Sequence, residues 1–139
     1  MKRLKEKYSM ITEKLILAGL RPTRQRILLG SLLFGDACRH VTAEMLHRES
    51  KEENINVSLA TVYNTLHQFT EAGLLREVAI EDGKAYFDTN TEPHYHFLNE
   101  DTGCLIDIPA DHINLGVLPQ VPAGMVMNSV DVVIRVKSA

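Results

Sequence analysis

Residues 58–88, SLATVYNTLHQFTEAGLLREVAIEDGKAYFD, change hydrophobic period half-way along, and that change decides the fold. The first part is helical. Ser58 is a cap residue, Ala60, Val62, Tyr63, Leu66 and Phe69 follow at helical spacing, and Gly73 is a stop. The second part is extended: Leu74 to Ile80 and Lys84 to Asp88 read as strands joined by Glu81-Asp82-Gly83, because Asp-Gly favours a tight hairpin turn.

Upstream, three further helices are predicted. Leu4, Tyr8, Ile11, Leu15 and Ala18 recur at helical spacing before Gly19, which places a helix over 4–18. Thr23 can cap a second, with Ile27, Leu28, Leu32 and Leu33 as its buried stripe and Arg24 and Arg26 near its start. Thr42 can cap a third, with Glu44 in the first turn, where a carboxylate suits the helix dipole, and His40 in a loop just outside the cap. Helices followed by a two-stranded wing make a winged helix-turn-helix over residues 1–88. The helix beginning at Ser58 is its expected recognition element in a DNA major groove.

Downstream, 89–93 has no periodicity and reads as a hinge. His94 to Leu98 and Cys104 to Ile108 read as strands joined by a polar turn, 109–118 as a short helix, and Met125 to Val136 as a Val- and Ile-rich last strand. Pro109, Pro119 and Pro122 rule out one long helix there. The fold class expected is therefore α+β, an N-terminal winged helix followed by a small α/β domain over 94–139. So few residues bury too little surface to stand alone, which predicts a homodimer sharing a sheet.

The charge distribution divides the chain in the same way. Residues 1–87 carry 13 Lys and Arg against 11 Asp and Glu, and residues 88–139 carry 2 against 7, so the overall −3 hides a basic front and an acidic back. A polyanion-binding part joined to a cation-binding part is the implication. No apolar run approaches the roughly 20 residues of a membrane span, and the first residues lack a signal-peptide pattern, so a cytoplasmic protein without a membrane partner is expected. Cys38 and Cys104 lie far apart and form no Cys-x-x-Cys pair, so neither a thiolate zinc site nor a disulfide framework can be read.

His94-Tyr95-His96 puts two imidazoles on one face of a strand. With Asp88, Asp107 and His40 they offer three imidazoles and two carboxylates, a set that suits Fe(II), Mn(II) or Zn(II). Alternating histidines also occur in ordinary, partly exposed strands. A metallo-hydrolase is the reading from another class, but no substrate pocket or general base can be read beside the five candidate ligands.

Ser58 to Leu66, with Arg21-Pro-Thr-Arg-Gln-Arg26 before it and Gly83 to Asp88 and His94-Tyr-His96 after it, resembles the ferric uptake regulator (Fur) family from about residue 8 onward. The resemblance implies a homodimeric, metal-responsive DNA-binding repressor with its sensing metal at the junction of two domains. Carried over, that site falls on His40, Asp88, His94, His96 and Asp107. Asp107 stands where many iron sensors of the family have Glu, and the set of three His and two Asp resembles that of the peroxide-sensing (PerR) branch. The family's cysteine-held zinc is not implied, because its first pair falls on Asn99 and Thr102. A further family metal site is also not implied, because Pro93, Tyr95 and Asn128 replace its ligands.

The missing thiolates and the 118–134 ending are similar to the iron response regulator (Irr) branch, which controls iron and haem metabolism. Haem would then use His94 and His96, since neither cysteine precedes a proline, although Tyr95 departs from the branch's uninterrupted His run. For an A/T-rich double-stranded operator, Tyr63 would pack on a thymine methyl, Ser58, Thr61 and Asn64 would bond phosphate or bases, and Arg21 would enter the minor groove. Arg24 and Arg26 would contact phosphate, unless one of them pairs with an acidic neighbour. A metal held by both domains would fix their relative angle and so the spacing of the recognition helices.

Overall fold

The computed structural model describes residues 2–35, 37–79 and 85–139, which form two compact units, Met1–Thr91 and Glu92–Ala139. The Glu81-Asp82-Gly83 turn lies outside the described residues.

The first unit opens with α1 (Lys2–Leu17), followed by α2 (Arg24–Leu33). Only the second half of α1 packs as its periodicity predicts: Ile11 and Leu15 are buried, whereas Leu4 is 51% exposed and borders an open cleft with Tyr8, Leu28 and Leu32. The buried stripe of α2 is also turned from the one expected. Leu29, Gly30, Ser31 and Leu33 are buried, while Ile27, Leu28 and Leu32 are only partly so. Gly30 is the cause, because a Cβ there would lie 2.8 Å from Ile11 Cγ2. The glycine face of α2 therefore lies against α1.

A short strand β1 (His40–Val41) leads into α3 (Ala43–Glu52), then α4 (Leu59–Glu71) and the strands β2 (Arg76–Ala79) and β3 (Ala85–Asp88). Thr23, Thr42 and Ser58 cap their helices as read, each side-chain oxygen accepting the N–H three residues on, at 3.3, 3.1 and 3.1 Å. Each such cap is worth about 1 kcal/mol. His40 is not in a loop. It pairs with Asp88 in an antiparallel sheet of order β1-β3-β2, so the sheet has a strand beyond the two expected, one too short to show a period. Leu15, Leu33, Leu46, Leu66, Phe69 and Phe87, all fully buried, fill the core beneath it.

The second unit is a sheet of order β5-β4-β6, built from β4 (His94–Asn99), β5 (Leu105–Pro109) and β6 (Val133–Val136). The helix expected over 109–118 is a single 3₁₀ turn, Ala110–His112, and the strand expected over 125–136 is confined to its last four residues. β6 runs parallel to β4 on the side opposite β5, so the chain needs a crossover from one edge of the sheet to the other. Residues 113–132 supply it, with Pro119 and Pro122 lacking an N–H and Gly124 at φ +80°. Among the described residues no helix is long and apolar enough to cross a membrane.

Candidate functional site

In the first unit, the β1–β3 register sets His40 against Asp88, with Nε2 3.1 Å from Oδ2. Asp88 is fully buried, and its second oxygen, Oδ1, accepts the Asn90 N–H at 2.9 Å. A buried carboxylate needs such partners, since its desolvation costs several kcal/mol. Oδ2 is thereby left on the side of the imidazole.

In the second unit, β4 alternates buried and half-buried residues, which places His94, His96 and Leu98 on its inner face. The two rings stand edge to face with centroids 4.5 Å apart. Asp107 sits opposite His96 on β5, and its Oδ1 lies 3.5 Å from Nε2 of both His94 and His96. The donor atoms of these three residues lie within 4.8 Å of one another. His94 Nδ1 is 2.6 Å from the Glu92 carbonyl oxygen, which can only accept, so Nδ1–H donates to it and Nε2 is the nitrogen turned toward Asp107. Such an arrangement orients a metal-binding imidazole and raises its basicity. Two imidazoles and a carboxylate on one side of a strand pair suit Fe(II), Mn(II) or Zn(II). Cys38 and Cys104 are exposed free thiols.

The basic face is less uniform than the sequence reading has it. Arg21 and Arg24 are exposed at the start of α2, but Arg26 commits two N–H groups to protein, Nη1 to the Arg21 carbonyl at 2.9 Å and Nη2 to Gln68 Oε1 at 3.1 Å. Arg26 therefore braces α2 against α4. On α4, Ser58 is occupied by capping and by its bond to Thr61 Oγ1 at 3.0 Å, while Asn64 is exposed. Tyr63 is 37% exposed, stacks on His67, and donates its hydroxyl to Glu44 Oε1 at 2.8 Å. That hydrogen bond, then desolvation and the Glu44 charge, hold the Tyr63 phenol above its ordinary pKa.

Sequence reasoning missed Glu44 as the partner of Tyr63. The Arg39–Thr89 contacts beside the His40–Asp88 pair were missed as well. Glu44 was visible only as a first-turn carboxylate. Arg39 and Thr89 are fifty residues apart and carry no signal of their meeting.

A model of the ferric uptake regulator family matches residues 17–132. Among curated proteins, the peroxide-responsive repressor PerR of Staphylococcus aureus is 33% identical over 97 residues, 70% of this chain, and the match spans 65% of that relative's length. Among solved structures, the ferric uptake regulator of Vibrio cholerae superposes with a TM-score of 0.70 at 24% identity, covering 91% of this chain and 98% of that one. The ferric uptake regulator of Pseudomonas aeruginosa with manganese gives 0.66 at 26% identity, covering 92% and 97%.

Proposed function

The chain belongs to the ferric uptake regulator family, and on that premise we propose that it is a metal-responsive, DNA-binding transcriptional regulator. One divalent ion, Fe(II) or Mn(II), would be held by His40, Asp88, His94, His96 and Asp107. The observation that carries this reading is the set of His94, His96 and Asp107, with the His94 ring oriented by the Glu92 carbonyl. When bound, the ion supplies positive charge that holds these ligands together. The protein supplies the two arrangements between which the ion discriminates, and a ligand shifts such an equilibrium only by its differential affinity.

The winged-helix unit presents α4 to an A/T-rich duplex, with Tyr63 and Asn64 toward the bases and Arg21 and Arg24 toward the backbone or minor groove. The second unit pairs with a copy of itself. Its apolar side chains Val126 and Val117, 90% and 99% exposed, and Ile106, 52% exposed, support that role. Membership of a family of regulators replaces the metallo-hydrolase reading.

For the signal, the Irr-type reading is iron and haem control, supported by the cysteine-free donor set and the single 3₁₀ turn after β5. The second reading, a peroxide sensor, is favoured by the relative that is itself a peroxide-responsive repressor, together with aspartate at position 107. Two measurements separate them. An added oxygen on His40, His94 or His96 by mass spectrometry, after peroxide treatment of the Fe(II) form, supports peroxide sensing. A Soret band on haem titration that is lost in the His94→Ala/His96→Ala double variant, with release of DNA, supports the haem reading. Neither result would sink both signals.

A further inference from the structure

We infer that Arg39 is a positioning residue for the His40–Asp88 half of the proposed metal site, tying those two ligands to α2 and α3; this rests on the metal reading above. β1 is only two residues long, so its ladder alone specifies register weakly. Arg39 adds a further rung. Its N–H donates to Thr89 Oγ1 at 2.9 Å, and its carbonyl accepts the Thr89 N–H at 3.1 Å, which brackets the His40–Asp88 pair on its outer side.

The Arg39 side chain extends the brace to the helices. Nη1 and Nη2 fork onto Glu49 of α3 at 2.9 and 2.7 Å, and Nη1 also donates to the Leu32 carbonyl at 2.8 Å. Leu32 lies in the last turn of α2, where carbonyls lack partners within the helix. Arg39 and Glu49 are 30% and 32% exposed in their side chains, and ion pairs of that exposure add little to stability. Their contribution is geometric. A guanidinium fork fixes direction in a way a lysine ammonium does not, so the backbone that carries His40 is held against two helices at once. A shift of His40 on binding an ion is thereby passed to α2 and α3.

The test is Mn(II) affinity of the apo protein, read by electron paramagnetic resonance of free Mn(II), alongside thermal unfolding in chelator. Arg39→Lys keeps the charge and loses the fork, and Thr89→Val removes the Oγ1 acceptor while keeping the shape. Each weakens Mn(II) binding about tenfold, the low end of what outer partners of metal ligands give, while each variant stays folded. Glu49→Asp, with a shorter but chargeable partner, loses less than Arg39→Lys does. Mn(II) affinity within about twofold of wild type in both folded variants overturns the inference, whatever the melting temperature does. His40→Ala separates the two levels. If wild type binds no Mn(II), or His40→Ala binds it equally well, the metal reading fails and takes this inference with it. If His40→Ala loses the ion and Arg39→Lys does not, only the role of Arg39 fails.

Discussion

Replacing His40 with alanine takes a partner from a carboxylate that water does not reach, and the structure sets the size of the effect. Asp88 is 0% exposed; its Oδ2 faces His40 Nε2 at 3.1 Å and its Oδ1 accepts the Asn90 N–H at 2.9 Å. Leaving a buried polar group short of a hydrogen-bond partner costs roughly 1–3 kcal/mol, and more where the group is charged. Two features reduce that here: the Asn90 bond survives, and the His40 side chain is 16% exposed, so the space it leaves opens to water. The expected loss is about 2 kcal/mol, within the range for a buried group that gives up one hydrogen-bond partner. For a unit of this size that lowers Tm by about 10 °C.

The assay is urea unfolding of apo protein in chelator, paired with Mn(II) titration. His40→Ala lowers the urea midpoint and abolishes Mn(II) binding. Adding Asp88→Asn in that background removes the charge but keeps an acceptor for Asn90, and returns about 1 kcal/mol while Mn(II) binding stays lost. An apo His40→Ala protein within about 0.5 kcal/mol of wild type, or a double variant less stable than the single one, refutes the reasoning about Asp88.

Other predictions follow from single contacts. Gly30→Ala sets a Cβ 2.8 Å from the Ile11 methyl, and a β-branched side chain in a helix cannot rotate away. The overpacking, about 1–3 kcal/mol, exceeds the roughly 1 kcal/mol gained in helix propensity, so the urea midpoint falls; a rise would contradict the account of α1 on α2. In a spectrophotometric titration, Tyr63 ionises above the ordinary tyrosine range and Glu44→Gln brings it down, since the carboxylate acceptor is the main cause; no change on substitution refutes that cause. Ser138 donates its N–H and hydroxyl to Asp101 Oδ2 at 2.8 and 2.7 Å, which holds that carboxyl below its ordinary value. The contribution is therefore present above the ordinary aspartate pKa and is lost as pH falls through the lowered one. Nuclear magnetic resonance titration should show Asp101 rising toward the ordinary value in Ser138→Ala.

How far the fold is legible in the sequence depends on how local the deciding interaction is. Thr23, Thr42 and Ser58 are readable because a cap involves a side chain and the N–H three residues on. The stripe of α2 is not, because its rotation is set by the Gly30–Ile11 approach across two helices. β1 is missed because two residues show no period. The last strand is overread, because Val and Ile propensity says nothing about where a parallel partner ends. In the candidate site, period two places His94 and His96 on one face. The approach of Asp107 to both depends on the β4–β5 register, and the Glu92 carbonyl at His94 is a backbone contact with no side-chain signature.

The central claim is that an ion at these ligands controls DNA binding. It is tested most directly by the affinity of the protein for an A/T-rich duplex, measured anaerobically by fluorescence anisotropy at fixed salt, apo and with Mn(II), in wild type and His96→Ala. Mn(II) should change wild-type affinity by about tenfold, within the usual range of coupling between sites, and leave His96→Ala unchanged. Equal wild-type affinities with and without the metal, or an undiminished metal effect in His96→Ala, would contradict it.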